Sequence, residues 1–426
     1  MAAGWSGGLR FDHATDGKQL THRATAQTFA PSRLILPLTG RFGQTCRPTV
    51  AVGDTVLVGQ TVGEPTSAGG LYLHSGVSGR VEAIRLCETE EGMCPAVVIR
   101  NDFEDRPAPP FATDAPLPEL LDRAGVVGMG GAGFPAGRKY RTDRPIDTVL
   151  INGCECEPFL SCDHRLMLEH PDRIVDGAVR LANAVGASVT VCIEDNKPDA
   201  IALMSDAAAD KGVGLTVLPT RYPQGSEKQL IRAVTGRTVP RGGLPADVGV
   251  LVSNVATAAA ASDAARGIPL THRLITVAGD AVIPINLWVP IGTPIGEVLD
   301  AHLFSQIPLY RDDGAVVIGG PMTGTALTYR HAPILKTTAG LIYLPAVSQD
   351  EMPCIRCGAC VRRCPMSLMP FAIDEAERAG DDARFRSLYA DQCIACGCCS
   401  YVCPARRELM VHTVAAREII RKGERR

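Results

Sequence analysis

Cys354-Ile-Arg-Cys357-Gly-Ala-Cys360-Val-Arg-Arg-Cys364-Pro365 has a counterpart downstream, Cys393-Ile-Ala-Cys396-Gly-Cys398-Cys399-Ser-Tyr-Val-Cys403-Pro404. Both runs read C-x2-C-x2-C-x3-C-P. In this pattern three closely spaced thiolates wrap one corner of a four-iron, four-sulfur cluster, while the fourth, carried off by the proline, reaches the other cluster. The ligand sets are therefore expected to cross. One takes Cys354, Cys357, Cys360 and Cys403, and the other takes Cys364, Cys393, Cys396 and Cys399, with Cys398 left over as a neighbour. A pair of zinc ribbons is the competing reading, but zinc knuckles normally use two cysteines without a trailing proline. Crossed ligation holds two clusters close together, a short wire for single electrons that needs a source and a sink. Between the runs, residues 367–388 mix apolar and charged positions as a helix does, with Ser367 as its cap. Arg356, Arg362 and Arg363 beside the first run and Arg406 and Arg407 after the second either offset cluster charge, dock an acidic partner or form a solvated face.

The rest of the chain fits that reading. More than half of the 16 cysteines lie in the two runs, which points to metal rather than to a disulfide framework. At 426 residues, with 46% apolar and 21% charged side chains, several soluble modules are expected. A net charge of -3 gives no electrostatic case for nucleic acid. Residues 248–262 and 281–296 are the longest apolar stretches. Both fall short of the roughly 18 residues a spanning helix needs. The N-terminus shows no basic start followed by an apolar core, so a cytoplasmic location is the default.

Upstream, Gly125-Val-Val-Gly128-Met-Gly130-Gly131-Ala-Gly133-Phe134-Pro135-Ala-Gly-Arg138-Lys139-Tyr140 is too rich in glycine for a helix interior and lets backbone approach a phosphate or a flat ring. It contains G-x-G-x-x-G, but no clear strand precedes it and Pro135 comes soon after, so the dinucleotide signal is weak on its own. The next hundred or so residues alternate as a parallel α/β sheet does. Strands are expected at 146–151, 188–194, 215–218 and 248–252, and helices at 171–185, 200–209 and 226–234. The first strand delivers Asn152-Gly153-Cys154-Glu155-Cys156-Glu157-Pro158, and the last delivers Ser253-Asn254, at the strand ends where such sheets bind ligands.

The motifs GMGGAGFPAGRKY, INGCECEP with DHRLM after it, IEDNKP, YPQGSEKQLI, GGPMTG and the double cysteine run, in that order, resemble RnfC, the peripheral flavoprotein subunit family of bacterial Rnf membrane complexes. The middle of the chain also resembles the flavoprotein subunit of respiratory complex I. The resemblance implies a multidomain α/β plus β fold: an N-terminal arm (1–33), a barrel-sandwich module (34–104), a Rossmann-like FMN/NADH domain (115–268), a β-grasp module (270–345) and a helical double-cluster ferredoxin domain (348–426). It assigns Gly128, Gly130, Gly131, Gly133, Phe134, Lys139, Asn152, Glu155 and Glu157 to a pocket for FMN and NAD(H), with Glu194, Asn196, Lys197 and Asn254 as further candidates. Each has a plain structural alternative; Glu155, for instance, is equally placed to cap the segment after it. The implied activity is a ferredoxin:NAD+ oxidoreductase, with hydride exchange between NAD(H) and FMN and then single electrons through two [4Fe-4S] clusters. The implied setting is peripheral, on the cytoplasmic face of the cell membrane. Partners would be integral membrane and cluster-bearing subunits, with ferredoxin or flavodoxin reached indirectly and no nucleic acid. Hydride transfer itself requires no acid or base side chain, so no catalytic residue is assigned.

Two departures stand out. Cys154-x-Cys156-x5-Cys162 is either a metal site or three buried thiols, and the alanine- and lysine-rich tail of some family members has no counterpart here. Within residues 34–104, the stretch from Glu64 to His74 matches the hairpin on which biotinyl and lipoyl carriers modify a lysine, yet it holds none. That module reads as structural or docking, and residues 274–344 read as architecture. Cys46, Cys87 and Cys94 have no metal-like spacing. A soluble corrin reductase-like carrier shares the same modules, and a flavin-free cluster scaffold is the alternative from another class.

Overall fold

Val149, Leu150 and Ile151 form an uninterrupted apolar run with no charge, as suits a strand covered on both faces. In the computed structural model, which describes residues 4–12, 16–22, 25–89, 92–280, 282–302, 314–346 and 350–424, this run lies in β1 (Thr148–Gly153). Its sheet continues with β2 (Ser188–Glu194), β3 (Val213–Leu218) and β4 (Val250–Asn254), all parallel, in the order β3-β2-β1-β4. Side chains alternate across it. Val149 and Ile151 pack with Val191 and Ile193 against helices α2 (Pro171–Asn183) and α5 (Val255–Ala264). Leu150 and Val252 pack on the opposite face against Leu230 and Ile231 of α4 (Glu227–Thr235). Strand order reverses between β1 and β4, so their C-terminal ends open a crevice, the usual ligand position in such sheets.

The sheet and helices expected in this region are present, with ends displaced by no more than two residues. Two helices go beyond the expected set. One is α1 (Cys162–Glu169), whose polar start has its cap supplied from elsewhere in the chain; the other is α5, a buried stretch of alanines. α3 (Pro198–Ala208) completes the layer.

On the N-terminal side, two four-stranded sheets, Arg33–Pro37, Gly92–Asn101, Gly79–Thr89 and Thr55–Val56 against Thr39–Gly40, Gln44–Pro48, Thr61–Pro65 and Leu73–His74, enclose Leu34, Leu36, Val62, Val97 and Ile99. Beyond the central sheet, a six-stranded mixed sheet places His272–Gly279 between Ile285–Pro290 and Gly340–Pro345. The cysteine runs lie in a helical C-terminal region around Ile373, Phe385, Ala416 and Ile420. Here one expectation fails: residues 367–388 form two helices, Pro370–Arg378 and Asp382–Ser387, because Gly380 turns the chain at φ +67° and Asp381 caps the second through the Arg384 N–H (3.0 Å). Ser367 caps neither; it sits at φ +55° before the first begins. No helix among the described residues is long and apolar enough to cross a membrane.

The N-terminal segment ties these parts together. Gly8 N–H donates to the Arg363 carbonyl (2.9 Å), Leu9 and Tyr222 exchange backbone hydrogen bonds (2.8 and 2.9 Å), and Arg221 lies over the Trp5 ring at 3.9 Å.

Close packing of α2 on α5 depends on small residues: a Cβ at Gly177 would overlap the Ala258 carbonyl. Gly177→Ala should therefore lower stability by about 1–3 kcal/mol, the usual cost of forcing a methyl group into a filled core, read as a fall in the thermal midpoint with cluster iron unchanged.

Candidate functional site

The crevice at the ends of β1 and β4 opens into a cavity of about 1020 Å³. That is at the upper end of the roughly 300–1,000 Å³ of ordinary ligand pockets, room for a flavin nucleotide with a second ligand beside it. Gly128, Gly130, Gly131, Gly133, Phe134, Lys139, Asn152, Glu155, Glu157 and Asn254 all line it. The glycine loop is not a Rossmann turn. It closes on itself through Gly128 N–H to the Phe134 carbonyl (2.9 Å), and only the short helix Ala136–Tyr140 comes next. It is pinned from behind, where Met129 N–H donates to Thr257 Oγ1 (3.0 Å) and a Cβ at Gly130 would come within 2.8 Å of the Asn254 Cβ. Gly133 holds φ +78°, and a Cβ at Gly131 would meet nothing, so that stretch of backbone is bare.

The polar residues are fixed one by one. Asn152 donates to the Gly225 carbonyl (2.8 Å) and accepts from Cys154 N–H (3.1 Å). Asn254 caps α5 through the Ala256 N–H (2.8 Å) and turns its amide to Asp163 Oδ2 (2.5 Å). Lys139 Nζ donates to the Val252 carbonyl (2.5 Å) and to Glu227 Oε1 (3.1 Å). Glu155, at φ +43°, accepts from the N–H groups of Asp163 (2.6 Å) and His164 (3.0 Å); it caps α1 while lining the cavity. Glu157 accepts from Met322 N–H (3.1 Å) and the Thr323 hydroxyl, and burial pushes its carboxyl above the usual range.

Glu194, Asn196 and Lys197 are not on the cavity wall. Lys197 and Glu194 form a buried ion pair (3.3 Å), and the ammonium also donates to Asn196 Oδ1 (2.9 Å) and to the Cys154 carbonyl (2.7 Å). Their charges satisfy one another and brace the end of β1 from beneath.

Lys18 and Asp163 escape the sequence reading, as does Tyr222 between the cavities. Lys18 Nζ donates to the carbonyls of Glu155 (2.8 Å), Glu157 (2.7 Å) and Leu160 (2.5 Å), holding the loop after β1 from a position more than 130 residues upstream. Asp163, buried and on the cavity wall, has one carboxylate oxygen with no partner. Burial, reinforced by Glu155 and opposed by Arg273, raises its carboxyl to about 6. The DHRLM motif contains this aspartate, though nothing in the motif marks it as a wall residue. Bare glycine backbone, an unpartnered buried oxygen and ample volume fit the demands of FMN.

The cysteine runs fold into two neighbouring cavities. One is lined by Cys354, Cys357, Cys360 and Cys403, and the other by Cys364, Cys393, Cys396 and Cys399, with Cys398 beside the second set. Cys396 and Ile394 belong to the walls of both the second cysteine cavity and the large crevice. Tyr222 joins them, its hydroxyl donating to the Cys396 carbonyl (2.7 Å). By contrast, Cys154, Cys156 and Cys162 do not converge: the Cys154 thiol faces the Cys192 carbonyl at 3.8 Å, and Cys162 groups with Glu155 and Asp163 instead. Burial raises all three thiols, Cys156 to about 12.

Family models match along the chain: the RnfC barrel sandwich hybrid domain over residues 5–104, the Nuo51 FMN-binding domain over 121–263 and a 4Fe-4S dicluster domain over 346–404. The matching subunit of the ion-translocating oxidoreductase complex of Rhodobacter capsulatus is 39% identical over 87% of this chain and 74% of its own. The chain belongs to the RnfC family. Its counterpart in the Na+-translocating ferredoxin:NAD+ oxidoreductase complex of Acetobacterium woodii is 40% identical over 81% of each chain. The Pseudomonas aeruginosa relative, from an ion-translocating oxidoreductase complex, is 42% identical over 79% of this chain, which spans only about half of that longer protein (46%). Among solved structures, an NAD+-reducing [NiFe]-hydrogenase aligns with a TM-score of 0.49 and 19% identity over 72% of this chain and 61% of its own, a likeness too slight to argue from. In this RnfC-family chain the FMN-binding match covers most of the crevice wall, and the dicluster match spans both cysteine runs.

The raised carboxyl of Asp163 ties stability to pH. Its proton is held more tightly in the folded chain than in the unfolded one, so the folded state loses relative stability as pH rises from about 4 through about 6. Asp163→Asn, which keeps the neutral form, should therefore gain on the wild type between pH 5 and pH 7.5, by roughly 1–3 kcal/mol. Parallel unfolding curves at both pH values would contradict this.

Proposed function

We propose that this chain is the NAD(H)-facing subunit of an Rnf-type ferredoxin:NAD+ oxidoreductase, exchanging electrons between a nicotinamide dinucleotide in the crevice and two [4Fe-4S] clusters. The observation that carries the reading is the shared wall: Cys396 lines both the flavin-sized crevice and the second cysteine cavity. FMN would lie against the glycine loop, Asn152, Asn254 and the 155–157 turn, where it supplies the exchange between the electron pair of a hydride and the single electrons an iron–sulfur centre accepts. The chain's own residues position and exclude. Gly128, Gly130, Gly131 and Gly133 offer backbone without side chains, Asn254 couples the loop to α5, and Glu155 orients α1 so that Asp163 faces the cavity. One cluster would be held by Cys354, Cys357, Cys360 and Cys403, the other by Cys364, Cys393, Cys396 and Cys399, the latter nearer the crevice.

In this reading the chain divides at 1–33, 34–104, 115–268, 270–345 and 348–426, with the mixed sheet as a β-grasp spacer. Relatives bear the names of subunits of ion-translocating complexes, which supports other subunits of such a complex as partners; in this reading those are integral membrane and cluster-bearing subunits, met from a peripheral position on the cytoplasmic face. Ferredoxin or flavodoxin would be met indirectly.

Anaerobic NADH titration, followed optically for flavin and by low-temperature EPR for clusters, tests the order of centres. The wild type should bleach its flavin and reduce clusters. Cys403→Ser should leave the crevice-side cluster reducible, whereas Cys364→Ser should keep flavin bleaching but slow or abolish reduction of the remaining cluster at least tenfold. Full iron with no flavin and no response to NADH would sink the proposal.

A further inference from the structure

Outside the crevice, His22 of the N-terminal segment, His164 of α1 and Asp199 at the start of α3 converge from three separate stretches of chain. Their ligand atoms all lie within 4.8 Å of one another. Asp199 stands between the imidazoles, with Oδ1 2.8 Å from His164 Nε2 and Oδ2 3.7 Å from His22 Nε2, and the two rings are 5.2 Å apart and tilted by 35°. We propose that these three side chains bind a divalent transition cation of the zinc type and so fasten the N-terminal segment to the flavin-binding domain.

Two imidazoles and a carboxylate are a donor set that zinc accepts with a fourth position left for water. Imidazole disfavours magnesium and calcium, which seek oxygen. Ligand atoms at about 2.0 Å from a tetrahedral ion stand roughly 3.3 Å apart, and the two observed spacings straddle that value. The third pair, the two imidazole nitrogens, lies within 4.8 Å, so closing the set takes a rotation of the Asp199 carboxylate and a shift of the exposed His22 ring. His22 is the solvent-facing member, at 45% side-chain exposure against 8% for His164, so the fourth position faces water. Burial lowers the proton affinity of His164 against the pull of Asp199 and Glu155, in the direction that favours coordination. The Asp199 carboxyl is held below its usual range: burial opposes this, but hydrogen bonds from His164 and the Ala200 N–H, with the two neighbouring imidazoles, together outweigh it.

The position gives the ion a purpose. His22 adjoins Thr21, whose hydroxyl meets Ser161 Oγ at 2.5 Å just before α1, and it lies four residues after Lys18. A metal bond at His22 would hold closed the segment that delivers Lys18 to the loop beneath the crevice.

The test uses the full chain with its clusters intact, dialysed against a chelator until only cluster iron remains. Zinc is then titrated calorimetrically into wild type, His22→Ala and Asp199→Asn, with magnesium as control. Wild type should take up one more zinc equivalent than either substituted protein, with affinity at least tenfold tighter and a rise in thermal midpoint that both substitutions abolish. The zinc X-ray absorption spectrum should show only nitrogen and oxygen neighbours. Equal uptake by all three proteins, or sulfur in the zinc shell, would overturn the proposal and leave a hydrogen-bonded His–Asp pair.

Discussion

A single ammonium group sets the floor of the crevice. Lys18 has three protons to donate, and three carbonyls, of Glu155, Glu157 and Leu160, receive them. The loop after β1 turns those carbonyls inward because Glu155 adopts a left-handed conformation to reach the amides of α1. Buried carbonyls without partners cost about 1–3 kcal/mol each, so a loop of this shape needs a donor that can serve several at once. Glu157, Asp163 and the start of α1 all take their positions from this turn.

Around it, charge alternates at short range. Lys18, Lys197 and Arg273 lie among Glu155, Glu157, Glu194 and Asp163, and each acid is balanced by more than one donor. Burial dominates all the same, lowering Lys18 and raising Glu157, Glu194 and Asp163. The region thus holds acids that give up protons reluctantly next to a cavity suited to redox chemistry. Tyr222, with its own proton held firmly by burial and by neighbouring acids and thiols, spans the wall between the two cavities.

How much the sequence discloses depends on range. Cysteine spacing is local and chemically narrow, so both four-thiol sets can be written down before any fold is known, and the structure gathers the same eight residues. The parallel sheet is legible because uninterrupted apolar runs at 149–151 and 250–252 have few other uses. Glu194 and Lys197 mislead because charges at a strand end resemble ligands, and only the packed structure reveals that they face each other beneath the strand. Lys18 and Tyr222 are illegible for the opposite reason: their partners lie at residues 155–160 and 396, and no local pattern links them. Ser367 has the residue type of a helix cap, but Pro370 begins the helix and Gly380 breaks it.

The crossing of the two four-thiol sets also bears on how the chain is made. As synthesis proceeds, three thiols of the first set are available by Cys360, yet that set waits for Cys403; the second gains Cys364 early and closes only at Cys399. Neither can be finished before the other is nearly so, because the closing residues lie four positions apart. If each set holds a cluster as proposed, metal loading during biogenesis would be gated to the synthesis of Cys399 and Cys403, and a ribosome that stopped short of them would release a chain with no complete site.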